Sequence, residues 1–226
     1  ANGIIGRQYL SRMEVSKVHT HNHHLSHAAA GFQTSPYNDA TVVIIDAIGE
    51  FDTISIWHAE YDKYGKAKYK KLWGRSYPNS IGLFYSAMTK RVGLRPLDEE
   101  YILMGMAAYG TQFVPLHSHF VANRHLLEYK YNLHLGCDEY MPELSNETIA
   151  ASAQYSFELC LRAVMDRARS IGRGRNLVYM GGCALNCKAN EQLGEYFDNI
   201  WIMPNPGDAG SSLGAAALAW GRRLDW

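Results

Sequence analysis

No run of apolar residues in this chain approaches the ~20 needed to cross a bilayer as a helix, so no membrane partner is expected. A surplus of either charge is also lacking. The 22 Lys plus Arg balance 22 Asp plus Glu, leaving no net field to draw nucleic acid or an anionic surface, and a small neutral or anionic substrate fits better. Cysteine is scarce. Cys137, Cys160, Cys183 and Cys187 are too few for a disulfide scaffold and show no CxxC spacing, so buried reduced thiols are expected rather than a zinc site. No charged-then-apolar leader opens the chain, which reads as cytoplasmic; its start on Ala1 points to processing or a fragment.

Against these absences stand 226 residues, 47% of them hydrophobic, enough for a core in one large domain or two small ones. Five of the ten histidines lie between His19 and His27. If HHLSHAAAGF is helical, His23 and His27 share a face one turn apart and can reach one metal ion; the alternative is a His-rich surface turn. The apolar strand TVVII then ends in Asp46, and carboxyl ends of strands in α/β sheets are where ligands collect.

Further along, residues 41–58 read as a hairpin whose tip gathers Asp46, Glu50 and Asp52, and residues 67–73 as a third antiparallel strand. Asn79 or Ser80 caps a helix that ends at Gly93, and LDEEYILMGMAAYG reads as a short buried helix or plain core. Residues 111–145 show no clear period and stay unassigned. Residues 146–171 form a long amphipathic helix, with Arg162, Arg167 and Arg169 on its solvated side. Strand, glycine turn and helix then occur twice: 176–180 with Gly181, Gly182 and CALNCKANEQLGEYF, then 200–203 with PNPGDAGSS and LGAAALAWG. Such a Gly-Gly turn either turns backbone N–H groups towards a phosphate or sugar hydroxyl or is ordinary loop punctuation. Asn186 and Asn190, in the first turns, can reach a ligand; Asp208 is an N-cap or a ligand group.

In this order HHLSHAAAGF, IDAIGE, NSIGLFYSAMT, EEYILMGMAAYG, MGGCALNCKAN and PNPGDAGSSLGAA resemble the NodU/CmcH carbamoyltransferase family over residues 18–217. The resemblance implies an α/β fold like that of actin, heat-shock chaperones and sugar kinases, a ribonuclease H-like mixed sheet flanked by helices. Residues 1–40 would be a remnant of the first actin-like half, carrying the HxxxH helix, and residues 41–226 the second half, with an excursion at 111–145. It further implies that carbamoyl phosphate and ATP give carbamoyl-adenylate in a YrdC-like activating domain, missing from this chain, and that the carbamoyl group then passes to the hydroxyl of a small-molecule acceptor beside a metal ion.

Carried over by position, the resemblance makes His23, His27, Asp46 and Asp208 the metal ligands and has Gly181, Gly182, Asn186 and Gly207 shape the adenosine pocket. The N/O donor set suits Fe2+, Mn2+ or Zn2+, and the family implies iron. A hydroxyl needs a base, for which His24 and Glu50 are the candidates. The chain departs from the family at Ile102, where a lysine is usual, and at Ala108, where a proline is, which puts any role of that lysine in doubt. The competing readings are a non-catalytic metal-binding fragment and an actin-like small-molecule kinase; the acceptor stays open, as does the oligomeric state, a homo-oligomer among the alternatives.

Overall fold

The structure, a computed structural model, describes residues 18–225; the helix or loop read near residues 8–15 lies outside them. Its elements follow in chain order: α1 His23–Thr34, β1 Asp39–Gly49, β2 Asp52–Tyr61, β3 Ala67–Ser76, α2 Ile81–Arg91, α3 Glu100–Met106, α4 Pro115–Phe120, β4 Val121–Asn123, β5 Glu128–Tyr129, α5 Asn146–Ile171, β6 Asn176–Met180, α6 Cys187–Asn190, β7 Asn199–Trp201 and α7 Asp208–Trp220.

The strand β1 is organised by alternation. Val42 and Ile44 pack in one cluster and Val43 and Ile45 in another, all fully buried, so a β-branched strand covered on both faces lies inside the sheet. The order is β3-β2-β1-β6-β7, with the hairpin side antiparallel and β1, β6 and β7 parallel. Helices α2 and α5 cover one face through Phe84, Met88, Phe157 and Leu161; α1 covers the other through Ala28, Ala30 and Phe32. The domain is a mixed α/β sheet flanked by helices. The unassigned stretch supplies α4 and the small β4-β5 sheet.

Three element ends meet because of this packing. Parallel pairing of Ile44 with Met180 brings the end of β1 beside the Gly181-Gly182 turn. Helix α7 lies so close on α1 that a Cβ on Gly214 would fall 1.8 Å from the Ser26 carbonyl oxygen, and both helices start at the same edge of the sheet. Ser80 caps α2 and its hydroxyl donates to the carbonyls of Ala47 at 2.7 Å and Asp46 at 3.3 Å, pinning the strand end.

Several expectations need correction. The stretch read as one helix, CALNCKANEQLGEYF, is broken: Asn186 leaves the helical region at φ −76°, ψ 83° and caps α6 with its own side chain, as asparagine does readily. The acids of the hairpin do not gather at one tip. An irregularity in the pairing between Ile45 and Gly49 separates them: Asp46 turns inward, Asp52 pairs with Lys71, and Glu50 sits in the exposed turn at φ 62°. Helix α3 buries only Leu103, which joins the core, while Glu100, Tyr101 and Met104 border a cavity.

Gly214→Ala tests the helix contact that aligns the site. Overpacking of this kind costs about 1–3 kcal/mol, so chemical denaturation should show a loss in that range, whereas an unchanged midpoint would mean that α1 and α7 can part freely.

Candidate metal centre and adjoining cavity

The Asn22 side chain accepts from the Leu25 N–H at 3.1 Å and starts α1 at His23, so that the Nε2 atoms of His23 and His27 come within 3.0 Å of each other. Asp46 is oriented from behind: its Oδ1 accepts from the Ala47 N–H at 2.9 Å and the Gly182 N–H at 3.4 Å, leaving Oδ2 at 3.2 Å from both imidazole Nε2 atoms. Asp208, the first residue of α7 rather than its cap, places Oδ1 at 3.2 Å from the same two nitrogens. All four ligand atoms lie within 4.8 Å of one another.

Burial and charge set the protonation of this group. Hydrogen bonds to Asp208 and Asp46 raise the His23 pKa to about 10. For His27, burial works against the proton, but the same two carboxylates outweigh it and the pKa rises. Burial would lift Asp46, yet its hydrogen bonds to His23 and His27 hold it well below the usual carboxylate range; Asp208 is lowered by the same pair. Two Nε2 atoms at 3.0 Å cannot both carry a proton towards each other. The cluster therefore shares protons as a unit, or a cation takes their place.

The donor set suits a divalent ion. Neighbouring donors about 2.0–2.1 Å from a common ion stand about 3.0–3.4 Å apart in octahedral or tetrahedral sites, and the His–His and His–Asp separations of 3.0 and 3.2 Å match. His27 Nδ1 is buried without a hydrogen-bond partner, so packing alone orients the far side of that ring.

A cavity of about 480 Å³ opens beside the cluster, lined by Asp46, Gly182, Asn186, Gly207 and Asp208 on one side and by Ser86, Glu100, Tyr101 and Phe157 on the other. Gly181 does not line it. Its φ of 92° and the 2.2 Å that would separate a Cβ from the Ile45 carbonyl explain why glycine ends β6. Asn186 reaches the cavity, but its amide is already engaged: Oδ1 accepts from Ala189 N–H at 3.0 Å and Gln154 Nε2 at 3.1 Å, and Nδ2 donates to Gln154 Oε1 at 3.0 Å. Tyr85 donates to the same Gln154 oxygen at 2.7 Å.

Neither His24 nor Glu50 lines the cavity. His24 is fully buried, and burial pushes its pKa down to about 4. Ser55 Oγ accepts from the Trp57 indole at 2.7 Å and lies 2.6 Å from His24 Nδ1, while His24 Nε2 is buried without a hydrogen-bond partner. Glu50 is exposed and accepts from Asn22 Nδ2 at 3.0 Å. Ser55, Trp57, Gln154 and Glu100 escaped the motif reading; a serine two residues before a tryptophan, or a glutamine midway along a scaffold helix, carries no spacing signal.

The family model for the carbamoyltransferase N-terminus matches residues 4–217, and the chain belongs to that family. An uncharacterised protein of Synechocystis is 35% identical over 230 residues, 89% of this chain and 36% of its own length. Nodulation protein NolO of Bradyrhizobium diazoefficiens is 30% identical across 87% of this chain and 38% of its own. The chain thus spans little more than a third of such relatives. Among solved structures, HypF of T. kodakarensis aligns over 94% of this chain and 38% of its own at a TM-score of 0.55 and 14% identity, a likeness of fold. No helix among the described residues is long and apolar enough to cross a membrane.

With His23 holding its proton up to about pH 10 in the metal-free protein, metal uptake at pH 7 must expel it. Affinity for Zn2+ or Mn2+ should therefore rise with pH, by about tenfold per unit for each proton released. Calorimetry in buffers of different ionisation enthalpy checks this; uptake without proton release would show that the imidazoles are not ligands.

Proposed function

We propose that this chain is the transfer part of an O-carbamoyltransferase, moving a carbamoyl group from carbamoyl-adenylate to the hydroxyl of a small molecule. The observation that carries the reading is the juxtaposition of His23, His27, Asp46 and Asp208 at the edge of a cavity that Asp46 and Asp208 themselves line. Membership of the carbamoyltransferase family supports it. In this reading the fold is the actin-like one, residues 1–40 and 41–226 belong to its two halves, the metal is iron, the setting is cytoplasmic, and a YrdC-like domain supplies the adenylate.

A divalent ion held by the four residues would polarise the carbamoyl carbonyl or the phosphate as a Lewis acid. The chain's residues prepare that role. Backbone N–H groups of Ala47 and Gly182 hold Asp46 with one oxygen free, and Asn22 fixes the start of the histidine helix. Gly182, Gly207 and Asn186 form the wall assigned to the nucleoside, kept in shape by the Asn186-Gln154-Tyr85 hydrogen bonds. In the transfer the acceptor oxygen bonds to the carbamoyl carbon, the bond from that carbon to the phosphate oxygen breaks, AMP leaves and the hydroxyl proton goes to a base. Of the two base candidates, Glu50 is the one in contact with solvent; His24 is fully buried against Ser55. Among the described residues no Lys or Arg lines the cavity, which favours a ligand with one phosphate over the triphosphate that a kinase must cradle.

The test uses preformed carbamoyl-adenylate. AMP release should require a divalent ion and fall by about 100-fold or more in His27→Ala, since even the partners of metal ligands are worth 10- to 100-fold. Carbamoyl phosphate with ATP should give no turnover until an activating domain is added. Equal AMP release with and without metal would sink the transfer reading and leave a metal-binding module.

A further inference from the structure

We infer that Glu100 selects the charge of the acceptor: the cavity takes a neutral or cationic hydroxyl compound and rejects an anionic one. This rests on the proposed function, in that the cavity must receive an acceptor. The whole chain is balanced at 22 charges of each sign, but the cavity wall is not. Among the described residues, Asp46, Asp98, Glu100 and Asp208 line it, and no Lys or Arg does. Three of these carboxylates have cationic partners or a cation to hold. Asp46 and Asp208 face the histidines, and Asp98 pairs with Arg95 at 2.9 Å.

Among the described residues, Glu100 has no cationic partner. Its Oε1 accepts from the Ser86 hydroxyl and the Leu97 N–H, both at 2.6 Å, so neutral dipoles fix the carboxylate without cancelling its charge. These bonds tie three walls of the cavity together, α2 through Ser86, the rim through Leu97 and the start of α3 through Glu100 itself. Leu97 is held at φ 63°, a strained value for leucine, with its side chain 72% exposed. Tyr101 and Leu185, 67% and 62% exposed, continue an apolar mouth around that charge. An acceptor entering past this rim meets a low-dielectric surface with a single fixed negative charge. Beside it, each unit of ligand charge changes affinity by on the order of tenfold.

Three probes built on one cyclohexanol ring read the preference: cyclohexane-1,4-diol, 4-aminocyclohexanol and 4-hydroxycyclohexanesulfonate, the sulfonate chosen because it is a poor metal ligand. Each is titrated into the zinc-loaded chain and followed by the methyl resonance of Met104, a cavity residue. The amine should bind about tenfold or more tightly than the sulfonate, with the diol between, and the spread should shrink in high salt. Glu100→Gln, which can still accept both hydrogen bonds, should bring the ratio close to one at unchanged melting temperature. Asp98→Asn, which removes a carboxylate from the same wall while Arg95 stays paired with Glu99, should shift it in the same direction if Glu100→Gln fails to fold. A sulfonate that binds as tightly as the amine, a ratio indifferent to both variants, or no shift with any probe would overturn the inference. Metal-dependent AMP release with a flat charge series refutes this selectivity alone; a graded series without AMP release refutes the transfer reading alone.

Discussion

Two imidazole nitrogens at 3.0 Å, flanked on either side by a carboxylate oxygen at 3.2 Å, form the contact on which the rest of the site depends. Such a group favours something positive in its midst, because the buried Asp46 carboxylate would otherwise carry a large desolvation penalty, while Asp208 keeps its contact with solvent. Without a cation, a proton on the imidazoles fills that role, in line with the raised pKa of His23 and His27. Three separate pieces of backbone bring the donors to this point: the first turn of α1, the end of β1 and the first residue of α7. Each has its own anchor, in Asn22, the amides of Ala47 and Gly182, and the close seating of Gly214 on Ser26.

Those parts were legible in the sequence to the extent that they depend on spacing. HxxxH on a small-residue helix, an acid where TVVII runs out and glycines before a helix are local signals, and the elements they describe are in place. What depended on tertiary contacts could not be read. Asn186 was expected within a continuous helix; instead it caps a new helix, and where it lines the cavity its amide is held by Gln154, from the middle of a helix read as scaffold. Asp46, Glu50 and Asp52 looked like one acidic tip because they are close in sequence, yet the pleat and the irregular pairing of β1 send them to three different partners. The wall formed by Ser86, Glu100 and Leu97 joins residues whose local pattern is ordinary helix and rim.

The family match covers nearly the whole chain, while the chain covers little more than a third of curated relatives such as the Synechocystis and Bradyrhizobium proteins. Fold likeness to HypF adds the arrangement of elements and nothing about substrates.

The central claim is that the four side chains form one mixed nitrogen and oxygen ligand set. X-ray absorption spectroscopy on the chain loaded with one equivalent of zinc tests it most directly. The account predicts multiple-scattering features of two imidazoles together with oxygen donors at about 2.0–2.2 Å, and loss of one imidazole's contribution in His23→Ala. A sulfur shell at about 2.3 Å, or a spectrum of oxygen ligands unchanged by that substitution, would contradict it.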